Sequence, residues 1–248
     1  MSVKLSVKNL KLMRSGRDIL DIEEFILNRG DVLAIVGPNG AGKSSLLQVL
    51  SFLIEPDTGI IMLDGETVGN GNRLAARRKL AMVFQESLLL DTTVQKNIEI
   101  PLRIRGVSRQ ETATRAQEWM HRLGINCLSE QRARNLSGGE SQRTSIARAL
   151  AMKPEILLMD EPFSALDYPT RKSLLSEMGD ILHTSGMTTV FVTHDFSEIP
   201  ALTHQVAVLY NGRLIKRGDI QEILGESALS VKSWAPWDDG AGSDFLMQ

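Results

Sequence analysis

Apolar and polar side chains alternate over residues 3–7 and 19–27, the two-residue period of edge or half-buried strands. After a turn at Gly30-Asp31, Val32–Val36 is apolar without a break, as a strand covered on both faces must be. A glycine-rich loop follows. Lys43–Leu53 then sets Leu46, Leu47, Leu50 and Leu53 at helical spacing, and Pro56, Asp57 and Gly59 stop the helix. Ile60–Leu63 and Ala81–Phe84 read as further short strands.

From residue 93 to 150 the period becomes helical. Thr93–Arg105, Ser108–Leu123 and Ser141–Ala151 are expected helices, with Gly106 and Gly124 as stops and Ser108 with Glu111 as a capping box. This predicts a helical lobe, about residues 86–150, inserted in an α/β core. The core resumes at Ile156–Met159, four buried-type residues. A helix opens at Pro169 and runs to about Ser185. Thr188–Thr193 is a strand, and Val206–Tyr210, Asn211-Gly212 and Arg213–Lys216 spell a hairpin. One domain over residues 1–230 accounts for these elements. Residues 231–248, glycine- and acid-rich with isolated aromatics, read as a frayed C-terminal tail rather than a docked one. Strands alternating with helices predict a parallel sheet, with ligands at the carboxyl ends of its strands.

Composition narrows the partners. The 248 residues carry a formal charge of -2, without the basic excess of a nucleic-acid binder, so no nucleic acid is expected. The one cysteine, Cys127, has no Cys–His signature around it and is expected as a small buried apolar residue. The start lacks the pattern of a signal peptide, and no stretch approaches the ~20 apolar residues that span a bilayer. Membrane association is therefore expected only through a partner.

The chemistry sits at two strand ends. Gly37-Pro38-Asn39-Gly40-Ala41-Gly42-Lys43-Ser44 fits the P-loop pattern, with Ser45 following in the helix. Its glycines let successive backbone N–H groups curl towards phosphate oxygens, and the helix adds its positive end. Lys43 supplies a point charge to the β- and γ-phosphates, and Ser44 a hydroxyl to Mg²⁺, so ATP and Mg²⁺ are the expected ligands. At the second strand end, Met159 gives way to Asp160-Glu161. Two acids closing a buried strand need a cation or a polar site. Asp160 suits Mg²⁺; Glu161 suits a general base or a group that orients water.

Leu136-Ser137-Gly138-Gly139-Glu140 heads a helix just before that acidic strand. Ser137, Gly138 and Gly139 make a second anion-favouring helix start. Here the chain resembles the ABC ATPase family, whose signature reads LSGGQ. The motif order over about the first 220 residues resembles it too. Glu140 departs from the family glutamine and brings a negative charge near the nucleotide interface.

The resemblance implies an α/β fold: a P-loop NTPase (RecA-like) parallel-sheet core with an inserted helical lobe and an N-terminal antiparallel β-subdomain. It implies a pair of cassettes, expected as a homodimer, in which the signature of one closes over ATP on the P-loop of the other. It gives Gln85 a role at Mg²⁺ or the attacking water, and residues 86 to about 105 contact with a transmembrane permease. Ser164-Ala165-Leu166-Asp167 resembles the D-loop at the dimer interface; Asp167 also suits a helix cap. His194 resembles the switch histidine that touches the γ-phosphate and holds Glu161. The family aromatic that stacks on adenine is missing from the segment Leu12 to Arg17, where Arg14 is the expected platform.

Together these imply the ATP-hydrolysing subunit of an ABC transporter at the cytoplasmic face of the cell membrane. Asn97-Ile98-Glu99-Ile100-Pro101-Leu102 and Thr193-His194-Asp195-Phe196-Ser197-Glu198 resemble importer subunits, the latter those of tungstate and molybdate uptake. An extracytoplasmic solute-binding protein is then expected in the same system. The alternatives are an importer for another solute and a soluble ABC ATPase of DNA repair or translation.

Overall fold

The computed structural model describes residues 2–223; the expected boundary at 230 and the tail 231–248 lie outside the described residues. The chain opens with two long strands, β1 (Val3–Arg14) and β2 (Arg17–Asn28), paired antiparallel. The segment 12–17 is therefore mostly strand, closed by a tight turn at Ser15-Gly16. Then come β3 (Val32–Val36) and α1 (Lys43–Leu50). The helix ends three residues earlier than its leucine pattern predicts. Phe52 takes φ +59°, and the N–H groups of Leu53 and Ile54 both turn back to the Gln48 carbonyl, which leaves Leu53 exposed.

β4 (Thr58–Leu63) returns antiparallel beside β1 and carries a short β5 (Glu66–Thr67). A short α2 (Arg73–Arg78), which the apolar pattern does not reveal, leads into β6 (Leu80–Val83). Three helices follow: α3 (Val94–Ile104), α4 (Arg109–Arg122) and α5 (Gly138–Ala151). The Thr93 and Ser108 hydroxyls cap the first two by accepting from the N–H groups of Lys96 and Glu111. Only half of the expected capping box forms at Ser108, because the Glu111 carboxylate pairs with Arg115 one turn on. Cys127 is exposed rather than buried, in the short connection after α4.

The chain then runs through β7 (Ile156–Asp160), α6 (Tyr168–Ser185), β8 (Thr188–Val192), α7 (Ile199–Leu202), β9 (Gln205–Tyr210) and β10 (Arg213–Asp219). The large sheet has the order β10-β9-β3-β8-β7-β6, parallel except for β10; the small antiparallel sheet has the order β2-β1-β4-β5. Side chains of β3 alternate between two cores. Leu33 and Ile35 face α1 and the small sheet, while Ala34 and Val36 face the side carrying α3 to α6. Coverage on both faces explains why β3 and the Ile156–Met159 run of β7 are apolar without a break, and why β8 is buried along its whole length.

Lys4, 1% exposed, fixes the small sheet to the large one at its lower end. Its ammonium donates to Asp64 (2.7 Å) and to Glu155, and Asp64 also accepts from Lys79 (2.8 Å) and Arg29. Such a buried ion is tolerated because every partner is present.

Candidate phosphate-binding and catalytic site

The carboxyl ends of β3, β6, β7 and β8 deliver, in turn, the P-loop, Gln85, Asp160-Glu161 and His194. The P-loop follows β3 because its glycines are needed for close approach. A Cβ on Gly37 would lie 2.0 Å from the Leu209 carbonyl oxygen; one on Gly42, at φ +99°, would lie 2.7 Å from that of Ile19. The loop is tied down from outside. The Gly212 N–H donates to the Ala41 carbonyl (3.0 Å), and the Gly212 carbonyl accepts from the Asp21 N–H (2.9 Å). The Asn211-Gly212 turn therefore braces the phosphate loop, a role the sequence pattern did not disclose. Within the loop, Pro38 and Ser45 are partly buried, Ala41 is buried, and Asn39 and Gly40 are exposed.

Gly42 caps α1 without any side-chain oxygen, so the first-turn N–H groups face no competing cap. Lys43 is buried, and its ammonium donates to the carbonyls of Gly37 (2.8 Å) and Pro38 (2.9 Å). Burial pushes its pKa down, while Glu161 and Asp160 pull it back up. The Ser44 hydroxyl donates to Asp160 Oδ1 (3.0 Å). Burial raises the Asp160 pKa against the pull of that bond and of Lys43. Two oxygen donors meeting in a half-buried, acid-bearing corner fit Mg²⁺, a hard cation.

Glu161 sits at φ +44°, a left-handed conformation costing about 1–2 kcal/mol, and its N–H donates to the Val192 carbonyl (3.0 Å). This turn aims its carboxylate at the end of β8. Oε2 lies 3.0 Å from His194 Nδ1 and accepts from Gln85 Nε2 at 3.4 Å. Gln85 also reaches the Ser164 hydroxyl (3.4 Å), which donates to the Glu161 carbonyl (2.9 Å). The structure thus brings Lys43, Ser44 and Asp160 together, and Glu161, His194 and Gln85 together. Among the described residues Gln85 is hydrogen-bonded on the Glu161 side, and none of its bonds goes to Ser44 or Asp160.

The second anion-favouring helix start is built differently. Ser137 caps α5 in a complete capping box: its hydroxyl accepts from the Glu140 N–H (3.3 Å), and the Glu140 carboxylate accepts from the Ser137 N–H (2.8 Å) and hydroxyl (2.9 Å). Ser137 and Gly138 are exposed. Among the described hydrogen bonds, none joins Ser137, Gly138 or Gly139 to the P-loop of the same chain. Arg14 is exposed at the β1–β2 turn, and the same turn returns through Ile19 to the P-loop at Gly42. Asp167 caps α6, its carboxylate accepting from the Thr170 N–H (3.1 Å).

The family model for ABC transporters matches residues 20–164, well over half of the chain. The chain belongs to the ABC transporter family. It is 40% identical over 205 residues to the molybdate/tungstate import ATP-binding protein WtpC of Thermococcus kodakarensis, a match covering 82% of this chain and 62% of that protein. The chain therefore spans less than two thirds of that relative. It is 36% identical over 225 residues to the methionine import ATP-binding protein MetN of Carboxydothermus hydrogenoformans, covering 88% and 67%. Among solved structures, the dimeric post-hydrolysis state of the ATP-binding cassette MJ0796, bound to ADP and Pi, superposes with a TM-score of 0.79 and 28% identity over 87% of this chain and 98% of that one. The two-sheet architecture is that of the family's ATP-binding cassette.

Proposed function

We propose that this chain binds and hydrolyses ATP as the energising subunit of an ABC importer, working as a pair of identical cassettes at the cytoplasmic face of the membrane. The observation that carries this is the Glu161 carboxylate, held between His194 and Gln85 beside the P-loop lysine.

The P-loop N–H groups and Lys43 take the β- and γ-phosphates, and Arg14 lies against the base. Ser44 and Asp160 would hold Mg²⁺, and the bound ion would neutralise phosphate charge, while Gln85 acts through its bond to Glu161. Glu161 orients water for in-line attack and accepts its proton. The new P–O bond forms as the bond to the β-phosphate bridging oxygen breaks, yielding ADP and phosphate. His194 keeps Glu161 in place. Ser137, Gly138 and Gly139 of the second copy close over the γ-phosphate, as the exposure of Ser137 and Gly138 at the start of α5 allows.

A cleft of about 280 Å³ lined by Leu53, Phe84, Pro101 and Arg105 supports permease docking on residues 86–105. Leu88, Leu90 and Ile104 are exposed along the same segment. Gln142 and Arg148 of α5 bond to Ser87, and Arg148 also to the Leu88 carbonyl, so the signature helix is tied to that surface. An extracytoplasmic binding protein would deliver the solute to the permease. An oxyanion such as molybdate or tungstate is the first solute to test; methionine is the second, from the other relative.

The test is capture from native membranes with Glu161→Gln protein held on ATP. Recovery of a polytopic permease, with uptake of radiolabelled molybdate by the reconstituted complex, supports the reading. Recovery of ribosomal or DNA-repair proteins with no permease overturns it. Methionine uptake in place of molybdate overturns the oxyanion alone.

A further inference from the structure

The segment after β8 carries more polar chemistry than His194 requires. Asp195 and Glu198 are both buried, and both face Arg171 in the first turn of α6. The guanidinium Nη1 donates to Asp195 Oδ2 (3.0 Å) and Nη2 to the Leu166 carbonyl (3.1 Å). Its Nε is buried with no hydrogen-bond partner among the described residues and lies 3.9 Å from Glu198 Oε1. The other Glu198 oxygen accepts from the Thr193 hydroxyl (2.6 Å), and Thr193 immediately precedes His194. The Thr193 N–H is anchored on the Ile35 carbonyl of β3 (3.3 Å). One cation therefore touches both the Ser164–Asp167 loop and the Thr193–Glu198 segment.

We propose that Arg171 is a positioning residue: it yokes these two loops, so that His194 keeps its place on Glu161 only while the 164–167 loop is held as well. This rests on the ATPase reading above. A purely structural ion pair would need only one of the two loops. The fork spans both, and a planar guanidinium with fixed donors suits that task better than an ammonium.

The network also has a charge-dependent element. Burial pushes the Glu198 carboxyl up to about 7, with neighbouring Asp195 adding to the rise and Arg171, His194 and the Thr193 hydroxyl opposing it. A cleft of about 520 Å³ lined by Arg171, Asp195 and Ser197 gives solvent a route to the network. Above pH about 7 the carboxylate is charged and complements Arg171. Below it, protonation removes that attraction and loosens the yoke.

The experiment is steady-state ATP hydrolysis against pH for the wild-type chain and for Arg171→Ala, Arg171→Lys, Asp195→Asn and Glu198→Gln, with ATP affinity measured in parallel. Arg171→Ala is expected to lower kcat about tenfold while KM for ATP stays within about twofold. Its acidic limb moves to higher pH, because the cation that favoured the charged Glu198 is gone. Lysine restores part of kcat, and Glu198→Gln abolishes the limb. Arg171→Ala with wild-type kcat and an unmoved limb overturns the proposal. Should Arg171→Ala fail to fold, Asp195→Asn and Arg171→Lys decide: wild-type kcat and pH profile in both overturns it. An inactive wild-type chain would instead sink the ATPase reading itself.

Discussion

The chain starts two helices, α1 and α5, with glycine and serine, and the two starts solve opposite problems. At α1 the cap residue is Gly42, with no side-chain oxygen, and Lys43 is folded down against its own loop. At α5 the cap is Ser137, and with Glu140 it satisfies two backbone N–H groups internally. The first start keeps its N–H groups for a ligand and is braced from outside by Gly212. The second is a self-sufficient helix terminus that offers only a residual surface. A motif read as anion-binding in both places is thus an open helix start in one and a self-capped terminus in the other.

Substitutions separate the two. The largest effect is expected for Lys43→Ala, which removes the buried cation of the cradle: phosphate release should fall more than ~100-fold and ATP binding should weaken even in a lone copy. Ser137→Ala comes next. Loss of the cap should cost about 1 kcal/mol in thermal unfolding. Turnover of the pair should drop about tenfold with single-copy ATP affinity unchanged; weakened binding in the isolated copy would erase the distinction drawn here. Arg14→Ala should reduce ATP affinity by about 0.5–1 kcal/mol in equilibrium titration, and unchanged affinity removes it from the site. Smallest is Glu140→Gln, since glutamine serves in the same capping box: stability should move by less than about 0.5 kcal/mol.

The difference between the two starts was only partly legible in the sequence. The P-loop is contiguous, so Gly37 to Ser45 declared both its conformation and its chemistry. The Ser137–Glu140 box was legible in principle, yet Glu140 read as a departure from the family glutamine, whereas its carboxylate closes the cap. The same pattern at Ser108 predicts a box that forms only in half, because Arg115 draws Glu111 away. The pairing of Glu161 with His194 was reachable only through resemblance, because 33 positions separate them. The Arg171–Glu198 contact is not legible in the sequence, since neither spacing nor burial pattern announces a bridge between α6 and the segment after β8. Helix α1 was overextended because a leucine at helical spacing, Leu53, sits beyond a left-handed turn.

The Lys4 cluster gives the small sheet a mechanical character. Strand β1 is a beam clamped at its foot by Asp64 and Glu155 and resting again, through its β2 neighbours Ile19 and Leu20, on Gly42. Beyond that second support only Met13 and Arg14 of β1 overhang, about 7 Å of strand. A beam held twice with so short a free end hardly bends. On the proposed reading, base and phosphates would be gripped by parts of a single stiff frame, and the give needed for opening and closing would lie on the helical side of the molecule.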